Sequence, residues 1–369
     1  MFEKLPKLGF GMMRLPKDEN DNLDVPRITK MVDSYIKEGF NYFDTAYLYC
    51  NGQSESVIKE VIVDRYPRDS YTLTDKLSIW AIDENKTPDF IFEDQLRKTG
   101  VEYFDIYLLH SVELKNYQQY EELDLFNWAL KKKEEGKIKH FGFSFHGTPE
   151  LLDELLERHP EVEIVQLQLN YIDWESPTVQ SRRCYEVAKK YNKPILVMEP
   201  IKAGALARMS EGAEKIMKEV RPDMSIASWA LRYVGSLENV VTILSGMSVE
   251  EHVEDNLKTM KNFEPLSELE LNTVHQAIEI LAKEKRVECT DCKYCTDKCP
   301  MGINIPEIFK ALNVRLVRKE KHPPLNAYKK LIENSPKASE CLQCGACEGV
   351  CPQHLNIIKH LEDAAKEFE

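Results

Sequence analysis

The sequence contains no hydrophobic run long enough to cross a bilayer, and basic residues are fewer than acidic ones. A membrane-spanning helix needs roughly 18 or more consecutive apolar residues, and no stretch of the 369 residues approaches that length. The 49 basic residues face 62 acidic ones, which gives a net charge of −13. These absences argue against a membrane protein, against a nucleic-acid scaffold, which needs a basic face, and against binding to an anionic membrane.

The sequence also has few isolated cysteines, and its first residues show no sign of an export signal. The first residues, MFEKLPKLGFG, lack the apolar core of a signal peptide, so we expect a cytoplasmic protein. Only Cys50 and Cys184 of the ten cysteines stand alone, and the other eight follow residue 288 in two groups of four. A reducing cytoplasm disfavours disulfides, so we interpret the eight as metal ligands.

Short apolar runs alternate with longer amphipathic runs from residue 7 to residue 260. The apolar runs predict eight strands, at 7–13, 40–46, 71–76, 104–111, 139–146, 163–171, 195–200 and 240–246. The runs between them predict helices, for example at 25–39 and 117–136. Eight strand–helix units in about 250 residues are typical of a (β/α)8 barrel. The alternative is an open doubly wound sheet, but segment 9–14 lacks the third glycine of a dinucleotide-binding turn.

The eight clustered cysteines form two copies of one motif, C-x2-C-x2-C-x3-C-P, which is the bacterial [4Fe–4S] pattern. Three thiolates on one tight loop can cap three irons of a cubane, and the fourth points elsewhere. A pair of structural zinc sites is the alternative, although zinc ribbons do not require this repeated spacing. We therefore expect two [4Fe–4S] clusters, held by Cys289, Cys292, Cys295, Cys299, Cys341, Cys344, Cys347 and Cys351.

The chain divides into a predicted barrel domain at 1–263, a linking helix at 264–286 and a cysteine-containing domain at 287–369. The last domain has helical patterns at 306–321 and 354–368. Its two separated motifs resemble the α-helical two-cluster ferredoxin modules. That resemblance implies that Cys299 serves the second cluster and Cys351 the first. The predicted fold class is α/β, a (β/α)8 TIM barrel followed by an α-helical ferredoxin-like domain.

Four residues at or just beyond predicted strand ends suggest a catalytic site. They are Asp44, Tyr49, Lys76 and His110, and barrel enzymes place their chemistry at the carboxyl ends of strands. A tyrosine can protonate a carbonyl oxygen if a nearby ammonium lowers its pKa. A carboxylate can anchor that lysine, and a neutral imidazole can orient the carbonyl.

These roles would make Tyr49 the general acid, Lys76 its tuner, Asp44 the anchor of Lys76 and His110 the substrate-orienting residue. Taken singly, each residue also has an ordinary explanation. Asp44 could cap a helix and Tyr49 could be a loop aromatic. Lys76 could form a surface ion pair, and His110 could be a buried core histidine. Four such residues at successive strand ends favour the catalytic interpretation.

The pattern FDTA-x-x-Y, a strand-end lysine and the strand DIYLLH resemble the aldo-keto reductase family, and the resemblance extends over residues 5 to about 260. It implies a (β/α)8 barrel that reduces a small-molecule aldehyde or ketone with NAD(P)H. It also implies that Asp44, Tyr49, Lys76 and His110 form the family's catalytic tetrad. Ser144 and Gln166 would bind the nicotinamide carboxamide, and Asn256 would contact the adenine side of the coenzyme.

The chain departs from the family pattern around the coenzyme. Phe145 stands where the family usually has asparagine, and Met198 stands where an aromatic residue stacks on the nicotinamide. The stretch 246–256 is acidic where the family often has an arginine for the 2′-phosphate of NADP, so NAD would be tolerated better. Lys202 is the nearest basic residue, with surface exposure and pyrophosphate binding both open as its role. A subgroup with a C-terminal ferredoxin-like domain resembles the whole chain.

Three functions compete. The first is an NAD(P)H-dependent carbonyl reductase that carries two clusters, and it rests on the intact tetrad. The second is a one-electron reductase whose clusters feed the barrel site from a ferredoxin-type donor. It would need a flavin or a radical-stabilising substrate, because nicotinamide transfers two electrons as a hydride. The third is an electron-transfer or assembly subunit with a vestigial barrel, against which the tetrad argues.

Overall fold

The computed structural model describes residues 2–283, 286–318 and 322–369. It contains two compact units, and each is described by itself. The first comprises the chain up to Pro200 together with Ser228–Leu266. The second comprises Ile201–Ala227 and Ser267–Glu369.

Eight parallel strands close into a barrel in the first unit. Every strand pairs with its neighbour along the chain, and β1 pairs with β8. All eight predicted strands are confirmed, as is the barrel. Their bounds are β1 Leu8–Gly11, β2 Tyr42–Asp44, β3 Thr72–Ser78, β4 Phe104–Val112, β5 Ile138–Phe145, β6 Ile164–Gln168, β7 Ile195–Met198 and β8 Val240–Ser245.

Apolar side chains fill one layer of the barrel interior, and polar side chains form the next layer toward the carboxyl ends of the strands. Alternate residues of a strand share a face. One buried cluster is formed by Tyr42, Ile106, Leu108, Ile164, Leu196 and Leu244. Two residues further along their strands, Asp44, His110 and Gln166 occupy the same face. The polar layer therefore lies toward the carboxyl ends of the strands.

The described residues contain the following α-helices: α1 Val25–Lys37, α2 Ser54–Ile58, α3 Pro88–Thr99, α4 Tyr117–Glu122, α5 Leu125–Glu134, α6 Pro149–Arg158, α7 Ser181–Lys190, α8 Glu211–Val220, α9 Ile226–Gly235, α10 Glu250–Lys261, α11 Glu268–Ala282, α12 Ile305–Arg318, α13 His322–Leu331, α14 Ala346–Gly349 and α15 Ile357–Phe368. Helices α1, α3 and α6 begin alike. Asp24, Thr87 and Thr148 each accept a backbone N–H of the first turn, and a proline follows. The cap satisfies one exposed donor and the proline presets the helical φ.

The single helix predicted at 117–136 is wrong, because the structure has two helices there. Helix α4 ends at Glu122 and α5 begins at Leu125. Asp124, between them, has a φ of 52°, a left-handed conformation that aspartate tolerates better than most residues. That conformation interrupts the helical hydrogen bonds and lets the chain turn.

The second unit contains α8 and the helices from α11 onward. Helix α8 packs against α11, which is why residues 201–227 group with this unit although the sequence placed them in the barrel domain. The predicted linking helix at 264–286 corresponds to α11, and residues 284 and 285 lie outside the described residues. The domain boundaries remain a prediction.

The predicted helices of the cysteine-containing part correspond to α12 and α15, while residues 319–321 of the first prediction lie outside the described residues. Side chains of these helices, including Ile308, Phe309 and Leu361, form a buried core with Cys295, Cys347 and Cys351. The cysteines are therefore part of the packing. Over the described residues, no helix combines the length and apolarity needed to span a bilayer.

Candidate active site and cysteine cavities

Lys76 and Asp44 form a buried ion pair between β3 and β2. Lys76 Nζ lies 2.5 Å from Asp44 Oδ1 and donates to the carbonyl oxygen of Thr45 at 2.6 Å. The two side chains are 0% and 4% exposed. Burial raises the pKa of Asp44, while its contacts with Lys76 and Gln166 oppose that rise. Buried charges need such pairing, so the arrangement suits an anchored, charged lysine.

Tyr49 lies in the turn after β2 and meets both Lys76 and His110. Lys76 Nζ is 4.8 Å from the centre of the Tyr49 ring. The rings of Tyr49 and His110 are 5.7 Å apart and meet edge to face. The next two residues, Cys50 and Asn51, have left-handed backbones, which turn the chain back toward α2. The structure thus brings the four predicted residues together.

The acidity expected for Tyr49 needs a correction. Part of its side chain is exposed, yet burial, together with the charge of Asp44, raises the pKa of Tyr49 well above its usual range. We had expected Lys76 to lower it. The physical reason is that burial disfavours the charged phenolate, and the carboxylate of Asp44 disfavours it further. Tyr49 therefore stays protonated at neutral pH, as a proton donor must.

His110 is held as a neutral imidazole near the end of β4. Burial lowers its pKa well below the usual range, and Lys76 and His146 add to this effect. Its Nδ1 lies 2.8 Å from the hydroxyl of Ser78, its register partner on β3. Since Nδ1 is engaged there, contact with a carbonyl oxygen falls to Nε2. The next residue, Ser111, has a φ of 60° and ends the regular β4–β5 register.

Ser144 and Gln166 lie side by side on β5 and β6, where they are register partners. Both are buried. Ser144 Oγ accepts the N–H of Ser111 at 2.7 Å, and Gln166 Nε2 donates to Asp44 Oδ2 at 3.2 Å. These bonds leave the Ser144 hydroxyl as a donor and the Gln166 amide oxygen as an acceptor. One donor beside one acceptor complements a carboxamide, so the residues fit the nicotinamide amide.

Asn256 is not among the residues that the tetrad contacts bring together. It is buried on α10 and donates to Ser245 Oγ, at the end of β8, over 2.8 Å. At the start of α10, Glu250 forms an ion pair with Arg27 at 2.6 Å. The adenine-side role of Asn256 stays a prediction.

Three residues of this region, Ser78, Arg14 and Glu199, were not predicted from the sequence. Ser78 occupies the same face of β3 as Lys76, two residues further on, so strand periodicity could have found it. Arg14 and Glu199 follow β1 and β7 closely, where the strand-end rule applied equally. Arg14 Nη2 lies 3.1 Å from Glu199 Oε1, which joins the two loops.

The eight clustered cysteines surround two separate cavities in the second unit. The first is lined by Cys289, Cys292, Cys295 and Cys351. The second is lined by Cys299, Cys341, Cys344 and Cys347. Each cavity therefore takes three thiols from one motif and the fourth from the other, as the resemblance to ferredoxin modules implied.

The chemistry of these cavities suits iron–sulfur clusters. Soft thiolates are the usual ligands of [4Fe–4S] cubanes, and each cavity is lined by four cysteines. Among the described residues, no three His, Cys, Asp or Glu side chains are grouped so that they could hold a single metal ion. A cubane instead places a separate iron under each of four spaced thiolates.

Lys202 is buried, which rules out the surface role considered for it. Its Nζ lies 3.1 Å from Glu288 Oε2, and Arg286 Nε lies 2.5 Å from the other oxygen of Glu288. Glu288 directly precedes Cys289. Lys202 therefore contacts the start of the first cysteine motif within the second unit.

Comparison with protein families gives two matches. The aldo/keto reductase family matches residues 7–279, and the 4Fe-4S dicluster domain matches residues 288–356. The second match favours iron–sulfur over the zinc alternative.

Curated relatives are distant in sequence and match about three quarters of this chain. An uncharacterized oxidoreductase of Bacillus subtilis, YqkF, is 25% identical over 297 residues, covering 73% of this chain and 92% of the relative. Glyoxal reductase of the same organism is 27% identical over 292 residues, covering 77% and 91%.

Solved structures share the fold. An aldo-keto reductase of Klebsiella pneumoniae in complex with NADPH matches with a TM-score of 0.60 at 21% identity, over 76% of this chain and 93% of that one. The holo form of a Bacillus halodurans aldo-keto reductase matches with a TM-score of 0.58 at 24% identity, over 73% and 91%. With the match to three quarters of its length, the chain belongs to the aldo/keto reductase family of oxidoreductases and carries a C-terminal 4Fe-4S dicluster domain.

Proposed function

We propose that the chain reduces an aldehyde or ketone by hydride transfer from NAD(P)H, with Tyr49 as the proton donor. The observation that carries this proposal is the convergence of Tyr49, Lys76 and His110 at the carboxyl end of the barrel, with Asp44 behind Lys76. Membership of an oxidoreductase family supports it.

The substrate carbonyl oxygen would lie between the Tyr49 hydroxyl and His110 Nε2. The nicotinamide coenzyme, when bound, supplies the hydride that forms the new C–H bond at the carbonyl carbon. As the C=O π bond breaks, the oxygen becomes strongly basic and takes the proton of Tyr49. His110 stays neutral and donates a hydrogen bond. The Lys76 ammonium, close to the Tyr49 ring, stabilises the phenolate left behind.

Two further assignments belong to this proposal. Ser144 and Gln166 would hold the nicotinamide carboxamide, supported by their unused donor and acceptor. Two [4Fe–4S] clusters would bind the two cysteine sets, where they would supply one-electron chemistry. The crossing of the fourth cysteines supports that assignment.

The test replaces Tyr49 by phenylalanine in the cluster-loaded protein. Tyr49→Phe removes only the transferable proton, so carbonyl turnover should fall roughly 10²- to 10⁴-fold, while the coenzyme dissociation constant, measured by fluorescence titration, stays the same. Tyr47→Phe is a matched control, because the Tyr47 hydroxyl donates to Asp94 and its ring contacts Lys98. Turnover by Tyr49→Phe equal to that of the Tyr47→Phe control would remove the tetrad from the mechanism.

A second candidate function is a one-electron reductase in which the clusters feed the barrel site from a ferredoxin-type donor. It is favoured by the exposure around the second cavity: Cys344 is exposed and the neighbouring Leu342 is 64% exposed. An exposed apolar side chain beside an exposed cluster ligand would let a transient redox partner approach closely.

Anaerobic kinetics separate the two functions. The chain would be compared with and without its clusters, using NADH or a reduced ferredoxin as the electron source. Equal NADH-driven reduction by both forms would rule out the one-electron route. Reduction that requires both ferredoxin and clusters would rule out hydride transfer as the main route.

A further inference from the structure

Lys202 is a buried lysine in a constrained turn of the second unit. Its side chain is 4% exposed, and a buried ammonium is unfavourable without partners. The backbones of Lys202, Ala203 and Gly204 are all left-handed, with φ values of 46°, 50° and 91°. This conformation costs free energy in residues other than glycine and persists where the surrounding structure fixes it. The turn therefore holds Lys202 in one place.

The ammonium of Lys202 contacts the residue that precedes the first cysteine of the first motif. Lys202 Nζ lies 3.1 Å from Glu288 Oε2, and Arg286 Nε lies 2.5 Å from Glu288 Oε1. We call these three residues the charged triad. Cys289, the next residue, lines the first cavity. Because adjacent Cα atoms are about 3.8 Å apart, the charged triad lies close to a cluster ligand.

Helix α12 fixes the chain segment that carries the charged triad. Val287, which separates two members of the triad, is buried. Its N–H donates to Asn313 Oδ1 at 2.6 Å, and its carbonyl oxygen accepts Asn313 Nδ2 at 2.7 Å. Ile305 and Phe309 of the same helix line the first cavity. One helix therefore positions both the wall of the cavity and the backbone beside the triad.

The second motif differs at the equivalent position. Glu340 also directly precedes the first cysteine of its motif, but its carboxylate accepts the backbone N–H of Lys337 at 2.8 Å. Gln343, two residues after that cysteine, donates to the carboxylate of Glu362 at 3.2 Å. The glutamate beside the first cavity thus contacts two cationic side chains, whereas the one beside the second cavity caps a backbone amide.

We propose that Lys202 raises the reduction potential of the [4Fe–4S] cluster in the first cavity. This inference rests on the proposed binding of clusters to the two cysteine sets. Reduction adds one negative charge to a cluster, and net charge is among the properties that set its potential. A nearby positive charge favours the reduced form, and a buried charge is screened little by salt.

The size of the effect follows from the Coulomb interaction. Two unit charges roughly 10 Å apart, at an effective dielectric constant of about 20, change an equilibrium constant by roughly tenfold. A tenfold change in the affinity of a cluster for one electron corresponds to about 59 mV. The direction holds whatever else Lys202 contacts, because its replacement by a neutral residue always removes one positive charge.

The test is a potentiometric titration of the cluster-loaded protein, followed by electron paramagnetic resonance. Lys202→Met removes the charge and keeps a long side chain, so one of the two midpoint potentials should fall by about 59 mV, which is the tenfold loss. Glu288→Gln removes a negative charge at the same place and should raise that same potential. A merely structural role of these residues would not give shifts of opposite sign.

Two further substitutions serve as controls. Lys215→Met removes a lysine of the second unit whose side chain is 72% exposed, and it should leave both potentials unchanged. Glu340→Gln should raise the other potential, which assigns each potential to its cavity. Iron analysis of each variant checks that both clusters are retained.

Three outcomes would overturn the proposal: potentials unchanged in Lys202→Met, shifts of the same sign in Lys202→Met and Glu288→Gln, or a Glu340→Gln shift in the potential that Lys202→Met lowers. If Lys202→Met lost its iron, Glu288→Gln alone would decide, since the absence of a rise would also overturn it. Failure of the cluster assignment itself is distinguishable, because the wild-type chain would then bind no iron and sulfide.

Discussion

The tetrad residues control protonation through burial more than through the charge of the lysine. Asp44 and Lys76 cancel much of each other's field, and desolvation then dominates their neighbours. It raises the pKa of Tyr49 and lowers that of His110. Both shifts favour the form that carbonyl reduction needs, a protonated phenol and a neutral imidazole.

A flat pH dependence of turnover follows from these two shifts. An imidazole whose pKa is lowered stays neutral until the pH falls below that lowered value, and a phenol whose pKa is raised stays protonated until the pH exceeds the raised value. We therefore expect kcat for carbonyl reduction to be constant between about pH 6 and pH 9, a range that spans the ordinary pKa of histidine. Steady-state kinetics in constant-ionic-strength buffers would measure it. A fall in kcat below pH 7 that His110→Gln abolishes would contradict this expectation.

Sequence reasoning reached Asp44, Tyr49, Lys76 and His110 because each is a reactive residue type at a strand end. It did not reach Glu199, although Glu199 follows a predicted strand equally closely. A carboxylate there has no recognisable chemistry until its partner Arg14, in the loop after β1, is known, and the two residues are far apart in the chain. The raised pKa of Tyr49 also could not be predicted from the sequence, because burial is a property of the packed site.

At the scale of elements, the strands were more predictable than the helices. Each strand is a short apolar run bounded by polar turns, and all eight runs could be recognised in the sequence. The predicted helix at 117–136 failed because a single left-handed residue, Asp124, divides a continuous amphipathic pattern. Periodicity reports which face is apolar, but not whether the chain turns between two helices that share that face.

Strands β5 and β6 approach each other closely at Gly142, two residues before Ser144. A Cβ at Gly142 would lie 2.0 Å from the carbonyl oxygen of Ile164. We expect Gly142→Ala to lower the free energy of unfolding by about 3 kcal/mol or more and to weaken coenzyme binding, because Ser144 and Gln166 would be displaced. Urea denaturation followed by intrinsic fluorescence would measure the loss.

The control for that substitution is Gly212→Ala in α8, where the added Cβ meets only Ile280 at 3.6 Å. Alanine there should raise stability by about 0.5–1 kcal/mol, since it restricts the unfolded chain. Equal free energies of unfolding for Gly142→Ala and Gly212→Ala would show that the close approach of β5 and β6 leaves room for a side chain at residue 142.

Helix α10 begins with Glu250 and Glu251, in the stretch where the family resemblance implies a contact with the 2′-phosphate of NADP. Arg27 pairs with Glu250, so repulsion of a phosphate there rests on Glu251 and the other acidic side chains of the stretch. We still expect kcat/KM to be higher with NADH than with NADPH, by roughly tenfold for each 1.4 kcal/mol of repulsion. Ser248→Arg should shift the preference toward NADPH. Coenzyme titrations at two salt concentrations would measure both effects, and a wild-type preference for NADPH would refute the prediction.

At the scale of the whole molecule, one chain combines a barrel of the aldo/keto reductase family with a 4Fe-4S dicluster domain; we propose hydride transfer in the first and cluster binding in the second. The barrel needs no iron for the proposed reaction, so clusters in the two cysteine cavities would either hold the second unit together or supply electrons. Net charge and composition could exclude broad classes of function. Net charge and composition cannot distinguish between the two possible roles of the clusters, because those roles differ in whether electrons pass through the clusters.

The pairing of cysteines across the two motifs makes a prediction about iron content. A wild-type chain should hold about eight irons, four per cluster. Cys299→Ala/Cys341→Ala removes two ligands of one cavity and should leave about four irons. Cys295→Ala/Cys299→Ala removes neighbours in one motif that serve different cavities and should leave almost none. Anaerobic iron and sulfide analysis measures this, and the reverse result would show that each motif binds its own cluster.

The crossed ligands also set an order of events during synthesis. The first motif leaves the ribosome with only three of the four thiols of its cavity, since the fourth belongs to Cys351. The second cavity, by contrast, has its full set as soon as Cys347 emerges. Neither cluster could accordingly be completed before the second motif is translated.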